Sequence, residues 1–155
     1  MSNLSSTDSI ERSIVIKATR ERVWRALTDA QQFGAWFGAD LSGQVFAPNV
    51  RARGPMTLPG CEGIVFDAVI ASIDAQESMS FTWHPFAVDP AVDYSAEEPT
   101  LVTLTLADAP GEAILLTVRE SGFDKVPPAR RSRAFEMNSG GWEFQLRNIA
   151  AYAER

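Results

Sequence analysis

Residues that bind metals or form covalent cross-links are scarce in this chain. Its 155 residues include one cysteine and one histidine, which excludes an internal disulfide and leaves no ligand set with a metal-binding spacing. A single cysteine is consistent with a reducing cytoplasm, and the neighbouring Glu62 gives Cys61 the wrong charge environment for a reactive thiolate. We therefore expect a cytoplasmic protein without a metal site, an iron–sulfur cluster or another cofactor.

Long apolar runs and an excess of positive charge are also missing. No run approaches the roughly 20 apolar residues of a membrane-spanning helix, and Met1–Ser9 lacks the charged start and apolar centre of a signal peptide. The net charge of −6 would repel nucleic acid except at a local basic patch. The densest basic cluster, Arg130-Arg131-Ser132-Arg133, is short, and we interpret it as the solvated side of a helix start. Neither a membrane span nor a nucleic-acid partner is expected.

The first regular element is predicted to be a β-strand. Ile14 and Ile16 alternate with their neighbours at the period of a strand that has one buried face. The pattern predicts a strand over Glu11–Ala18 and leaves residues 1–10 as a flexible tail. Residues 11–155 are expected to form a single domain, because a chain of this length buries enough surface for one core.

Capping signals place two short helices after this strand. Thr19 is predicted to cap the first helix, and Asp29, with Gln32 three residues later, is predicted to cap the second. Gly38 is expected to end the second helix. That helix brings three aromatic residues together at helical spacing, namely Phe33, Trp36 and Phe37.

The middle of the chain is predicted to be β throughout. Turn-forming residues separate stretches in which apolar and polar residues alternate, as they do in strands with one buried face. The predicted strands are Asp40–Phe46, Val50–Leu58, Gly63–Ala75, Ser78–His84, Thr100–Leu106 and Ala113–Ser121. The rows predicted to face inward are Phe66, Ala68 and Ile70; Phe81 and Trp83; Val102, Leu104 and Leu106; and Ile114, Leu116, Val118 and Glu120.

A long C-terminal helix is predicted to begin near Pro127-Pro128, because proline suits the first helical turn. Gly140 and Gly141 weaken its middle by about 1 kcal/mol each relative to alanine, and we expect them either to kink the helix or to permit close contact with the sheet. Phe144 lies off the main apolar stripe and is expected to be exposed or to mark a dimer contact. The apolar stripe itself consists of Phe135, Trp142, Leu146, Ile149 and Ala153.

One long connection, Pro85–Pro99, carries three prolines and four acidic residues between two predicted strands. Loops of this length without secondary structure are often lids or binding loops. The alternative is an acidic hairpin extension in which Phe86 and Tyr94 pack locally. His84, which precedes the connection and alternates with the inward Trp83, is predicted to be a structural or surface residue at the rim of the strand.

These elements together carry a family resemblance. A strand, two short helices, a block of strands and one long terminal helix is the order of a helix-grip fold. On the stretches Ser13–Ala18, Thr19–Asp29, Phe33–Phe37 and Gly140-Gly141-Trp142, the chain resembles the START-like (SRPBCC) superfamily. Within it, the chain resembles the branch named after the activator of the 90-kDa heat-shock-protein ATPase. The resemblance implies an α+β fold in which a curved antiparallel sheet wraps around the long C-terminal helix and leaves an apolar cavity between them.

Aromatic residues dominate the interior that this fold implies. The chain has four tryptophans and nine phenylalanines, and small-molecule sites are usually apolar pockets with few polar groups. The alternative is that the aromatic residues simply fill the core. Glu120, on an inward row, needs a partner or must lose its charge, and Arg51 or Arg53 on a neighbouring strand is the expected partner. The residues expected to line the cavity are Trp36, Phe37, Phe46, Phe66, Phe81, Trp83, Glu120, Phe135 and Trp142.

Three classes of function follow from this interpretation. The leading one is a binding or sequestering protein that encloses an apolar or aromatic small molecule without turnover. The second is an enzyme of the cyclase or aromatase kind found elsewhere in the superfamily, with Glu120 as an acid/base group. The third is a chaperone co-factor, an interaction module implied by the family name. It is expected to rank last, because the chain has no room for the additional N-terminal domain that eukaryotic activators use.

Overall fold

The computed structural model describes residues 6–155, in which the regular elements follow the predicted order. The strands are β1 (Ser9–Ile16), β2 (Arg51–Pro55), β3 (Val65–Asp74), β4 (Ser78–Trp83), β5 (Thr100–Ala109) and β6 (Ala113–Ser121). The helices are α1 (Arg20–Thr28), α2 (Ala30–Phe37) and α3 (Pro128–Ala153), with a short 3₁₀ helix at Phe123–Lys125.

Within residues 6–155, the six strands form one curved antiparallel sheet in the order β1-β6-β5-β4-β3-β2. Strands that follow one another in the chain from β2 to β6 are also neighbours in the sheet. Strand β1 instead pairs with β6, the last strand of the chain. Ser9 is the cross-strand partner of Ser121, and Ile16 is the partner of Ile114. Helix α3 packs against β1, α1 and α2. The predicted α+β architecture, with two short helices after the first strand and a long C-terminal helix, is confirmed.

The two short helices are capped as the sequence predicts. The side chain of Thr19 accepts a hydrogen bond from the backbone N–H of Arg22 at 3.1 Å, and that of Asp29 accepts one from Gln32 at 3.1 Å. Each bond satisfies a donor that the first helical turn leaves without a partner. Gly38 ends α2 in the left-handed conformation, with φ = 96°, which glycine adopts without steric cost.

The predicted inward rows of the sheet are confirmed. Period-two alternation places one side chain of each pair against the helices and the other on the opposite face. Of the predicted rows, Trp83 is half-buried at the end of β4, and the others are buried: Phe66, Ala68, Ile70, Phe81, Val102, Leu104, Leu106, Ile114, Leu116, Val118 and Glu120.

The segment predicted as the strand Asp40–Phe46 is a loop, so this prediction is wrong. The Asp40 carboxylate accepts hydrogen bonds from both the N–H and the hydroxyl of Ser42, an arrangement that stabilises a turn and competes with strand pairing. Leu41 and Phe46 are nevertheless buried. The apolar residues that suggested a strand therefore reach the core from a loop.

Strand β1 starts earlier than predicted, at Ser9, and Ile10 is buried opposite Glu120. The carbonyl of Asp8 also accepts hydrogen bonds from the backbone after β6. The predicted flexible tail therefore overlaps the sheet at its last two residues, because pairing with β6 orders them. Residues 1–5 of that prediction lie outside the described part of the chain.

Helix α3 begins at the predicted proline pair and runs as one helix through Gly140 and Gly141. A Cβ at either glycine would meet no atom of the sheet within 4 Å, so the expected close contact with the sheet is wrong. Both positions instead face open space. None of the helices in residues 6–155 combines the length and apolar character needed to cross a membrane.

The space between the sheet and the helices is packed with aromatic rings. Phe33 of α2 lies at the centre, with Trp36 at 4.7 Å and Phe37 at 5.2 Å between ring centroids. Phe46 and Phe81 approach the same ring at 5.3 Å and 6.2 Å. Most of these pairs meet edge to face, which is a favoured arrangement for aromatic rings. This part of the molecule is a filled core.

Candidate functional site

A partly open groove of about 1190 Å³ lies beside this aromatic core. Its lining comes from the middle of α3, from β2, β3 and the end of β4, and from the connection between β2 and β3. The remaining side is formed by residues 84–99, the long connection between β4 and β5, which we call the arm. The groove thus forms where the aromatic core reaches the molecular surface.

Four aromatic residues form the inner wall of the groove: Phe37, Phe66, Trp83 and Trp142. The centroids of the two tryptophan rings are 5.7 Å apart, with an interplanar angle of 30°. Phe37 approaches Trp83 at 6.0 Å and Trp142 at 6.3 Å. The wall therefore offers tilted and edge-on aromatic surfaces drawn from α2, β3, β4 and α3.

The other five residues expected at the cavity lie off the groove lining. Trp36 donates its indole N–H to the carbonyl of Ala26 at 2.7 Å, inside the core. Phe46 and Phe81 pack around Phe33, as described above. Phe135 packs on Phe123 at 5.3 Å, near the start of α3. The fifth residue, Glu120, lies behind the inner wall.

The carboxylate of Glu120 is fully buried, with 0% exposure, and it accepts four hydrogen bonds. Its Oε2 accepts from Trp83 Nε1 at 2.7 Å and from the Thr100 hydroxyl at 2.5 Å. Its Oε1 accepts from Trp142 Nε1 at 2.8 Å and from Asn138 Nδ2 at 2.9 Å. All four partners are donors, which matches a carboxylate because that group only accepts. These bonds compensate for burying the charge.

The expected pairing of Glu120 with Arg51 or Arg53 is wrong. Both arginines project from the opposite face of β2 and bind Asp67, with N–O distances of 2.5 Å and 3.5 Å. The Asp67 carboxylate raises the pKa of the Arg51 guanidinium through its hydrogen bond and its charge. Among the described residues, Glu120 forms no ion pair, so polar donors alone hold it.

Helix α3 presents an apolar stripe to the groove. Met137, Gly141 and Phe144 all line the groove, and their i, i+4, i+7 spacing places them on one face of the helix. Met137 is 44% exposed and Phe144 is 42% exposed, while Gly141 leaves a gap between them. Sequence reasoning noted that Phe144 lies off the buried stripe but missed this second stripe, which the same helical spacing predicts.

The arm is fastened to the start of α3 by Arg130. Arg130 forms an ion pair with Glu97 at 2.5 Å, and both side chains are largely buried, at 19% and 18% exposure. A further guanidinium N–H of Arg130 donates to the carbonyl of Pro85 at 2.6 Å, and its cation lies 4.8 Å from the ring centroid of Tyr94. The prediction that this basic cluster is solvated is therefore wrong for Arg130.

His84, at the root of the arm, is half-buried at the rim of β4, close to its predicted location. Its Nε2 lies 2.9 Å from the carbonyl oxygen of Glu97. A carbonyl only accepts, so this contact requires a hydrogen on Nε2. The contact joins the two ends of the arm and engages one of the two ring nitrogens of His84, which also lines the groove. In residues 6–155, no cluster of His, Cys, Asp and Glu has a geometry that would hold a metal ion.

Comparison with solved structures identifies similar folds. Protein MLL2253 from Mesorhizobium loti is 23% identical with a TM-score of 0.68, over 93% of this chain and 95% of that chain. The Aha1 dimer from Colwellia psychrerythraea is 16% identical with a TM-score of 0.66, over 94% and 96% of the two chains. DynU16, from the dynemicin biosynthetic locus, is 23% identical with a TM-score of 0.68, over 94% of this chain and 46% of that one. At these identities the likeness shows the fold alone.

Comparison with protein families is more specific. The search of curated proteins finds no match. The model of the family described as activator of Hsp90 ATPase homolog 1-like protein matches residues 17–154, which include all three helices and most of the sheet. The chain therefore belongs to the family of activator of Hsp90 ATPase homolog 1-like proteins, within the START-like (SRPBCC) superfamily.

Proposed function

We propose that this protein binds an apolar or aromatic small molecule in the groove, without turnover. The observation that carries the proposal is the position of the exposed apolar side chains. Three of the large apolar side chains that are exposed in residues 6–155 line this groove from the arm and from α3: Val92, Met137 and Phe144. Exposed apolar side chains beside a concave aromatic wall are typical of binding sites.

The size of the groove supports a ligand that is held but only partly enclosed. Ligand pockets typically measure roughly 300–1,000 Å³, and this groove is somewhat larger, at about 1190 Å³, and open on one side. An aromatic ring system would contact the inner wall, while the rest of the ligand lies between α3 and the arm. This refines the expectation of a fully enclosed ligand.

An enzyme that uses Glu120 as its acid or base is a weaker proposal. A general acid or base must reach the proton that it transfers, whereas Glu120 has 0% exposure and uses both oxygens to hold four donors. His84 is engaged with the carbonyl of Glu97. Glu120 and one ring nitrogen of His84 thus serve structural contacts.

A homodimer through the same stripe is the second candidate, because Phe144 is 42% exposed on α3 and a similar protein was solved as a dimer. A dimer of this kind would cover the mouth of the groove. Sedimentation velocity over a range of protein concentrations tests it, since the sedimentation coefficient should rise with concentration. Dye binding should fall over the same range.

Titration with an anilinonaphthalene sulfonate dye tests the binding proposal. We expect saturable binding near one equivalent, with a change in tryptophan emission because Trp83 and Trp142 form the inner wall. Gly141→Leu should abolish binding by filling the gap in the stripe. Gly140→Leu is the matched control, because it makes the same change at the adjacent exposed position, which lies outside the groove lining. A folded protein that ignores the dye, or equal binding by the two variants, would refute the proposal.

A further inference from the structure

We propose that Asn138 makes the groove selective for aromatic ligands that carry a hydrogen-bond donor, such as a phenolic hydroxyl or a ring N–H. This inference rests on the proposed function, because it names the ligand class of the same site. It follows from the way in which Glu120 orients the side-chain amide of Asn138.

The first step concerns which end of the amide faces the buried carboxylate. Asn138 and Glu120 lie 2.9 Å apart, between Nδ2 and Oε1. An amide can be flipped by exchanging its oxygen and nitrogen, and the hydrogen-bond network decides between the two orientations. The flipped form would bring the amide oxygen against a carboxylate oxygen, so two acceptors would face each other inside the protein. Glu120 therefore requires the NH₂ group of Asn138 to point inward.

The second step concerns the other end of the amide. Asn138 is half-buried and lines the groove. Within residues 6–155 its Oδ1 accepts no hydrogen bond, yet it is not among the buried atoms without a partner. The oxygen therefore reaches accessible space. With the NH₂ group directed at Glu120, Asn138 presents a carbonyl acceptor on the groove side.

The third step places this acceptor beside the aromatic wall. Asn138 and Trp142 donate to the same oxygen of Glu120, at 2.9 Å and 2.8 Å, so the carboxylate fixes the amide and the indole side by side. Gly141 lies one helical turn after Asn138 and adds no side chain to cover it. A ring packed on the wall would bring a donor on its edge within reach of Asn138 Oδ1.

The expected selectivity follows from the free energy that one hydrogen bond contributes to binding. A ligand donor that pairs with this carbonyl should improve affinity about three- to tenfold over a matched ligand that lacks the donor. The selectivity depends on the ligand group, because the carbonyl oxygen accepts a hydrogen bond from a donor and forms none with an ether oxygen at the same place.

Naphthol and its methyl ether are suitable probes, since they share the ring system and differ in the donor. Affinities are measured by the quenching of tryptophan emission, in the wild-type protein and in two variants. Asn138→Leu removes the acceptor together with one hydrogen bond to Glu120. Thr100→Val is the matched control, because it also removes one hydrogen bond to Glu120 but lies outside the groove lining.

We expect wild type and Thr100→Val to prefer naphthol about three- to tenfold, and Asn138→Leu to bind both probes equally. If Asn138→Leu does not fold, Asn138→Ala takes its place. Equal affinities in the wild-type protein, or an unchanged preference in the Asn138 variant, would overturn the inference while leaving the proposed function intact. A folded wild-type protein that binds neither probe would overturn both.

Discussion

Trp142 of α3 donates its indole N–H to Glu120 of β6 over 2.8 Å, and this bond ties the C-terminal helix to the sheet through the interior of the protein. Trp83 of β4 makes the corresponding bond to the other carboxylate oxygen at 2.7 Å. One carboxylate thus sets the orientation of both indoles of the inner wall. A residue that no ligand touches thereby controls the surface that the proposed ligand would contact.

Glu120→Gln should lower the free energy of unfolding by about 1–3 kcal/mol, measured by urea denaturation. The carboxamide replaces one acceptor oxygen with an NH₂ group, so that two of the four donors lose their partner. Thr100→Val, which removes one donor and keeps the carboxylate, should cost less. If Glu120→Gln is as stable as wild type within about 0.5 kcal/mol, the carboxylate is not needed to hold the two tryptophans.

Trp142→Ala should destabilise the protein by about 3–5 kcal/mol, because it leaves a large cavity in the core and removes a donor from Glu120. Phe144→Ala serves as the comparison on the same helix. Phe144 is 42% exposed, so its loss should change stability by less than about 0.5 kcal/mol. Similar losses in the two variants would contradict the assignment of Trp142 as the buried anchor of α3.

Arg130→Ala should release the arm from α3. Charge-assisted hydrogen bonds contribute about 1.5–3 kcal/mol each, so amide hydrogen exchange in the arm should accelerate about tenfold or more. Arg133→Ala is the comparison, since Arg133 touches the arm through a cation–π contact, 5.7 Å from the ring centroid of Phe86, which is worth about 0.5–1 kcal/mol at an exposed site, so its loss should accelerate exchange less than the loss of Arg130. Unaltered exchange after Arg130→Ala would mean that other contacts hold the arm.

The lid function of the arm stays a prediction, and slower exchange with a bound ligand would support it.

Asp93 of the arm should titrate below its ordinary pKa of 3.8, chiefly because the Ser95 hydroxyl donates to it and secondly because the Ser95 N–H does. Since folding lowers this pKa, the stabilising contribution is present above pH 3.8 and is lost as the pH falls through the folded-state pKa. In an NMR titration of the carboxyl carbons, Ser95→Ala should raise the pKa of Asp93. The same substitution should leave the pKa of Asp40 unchanged, because hydrogen bonds from Ser42 lower that pKa. An unmoved Asp93 pKa in this variant would contradict the hydroxyl as the main cause.

Much of the sheet could be predicted because the alternation of inward and outward residues can be read from each strand alone. Alternation along β3 and β5 identifies Phe66 and Leu104 as inward residues without knowledge of any neighbour. The caps at Thr19 and Asp29 were predicted for the same reason, since each depends on a backbone N–H three residues away. Alternation fails at residues 40–46, where the turn at Asp40 overrides the strand-like spacing of the apolar residues.

The hydrogen-bond partners of Glu120 could not be predicted from the sequence, for a different reason. Trp83, Trp142 and Asn138 come from β4 and α3, and their meeting point depends on how the helix crosses the sheet. No local sequence pattern predicts how the helix crosses the sheet. One error was avoidable, because Arg51 and Arg53 alternate with the inward Ala52 and so had to face away from Glu120. Alternation along the strand excluded the two arginines as partners of Glu120, although it could not identify the two tryptophans.

The pairing of β1 with β6 has a consequence for how this chain acquires its structure. Ser9 and Ser121 are neighbours in the sheet but are separated by most of the chain, so roughly 5–20 seconds of ribosomal synthesis pass between them. During that interval the apolar face of β1, with Ile10 and Ile16, has no sheet partner. Contacts of such long range also slow folding after release, typically to milliseconds or seconds. Of the six strands in residues 6–155, the first therefore waits longest for its partner, and shielding it until β6 emerges should raise the yield of folded protein.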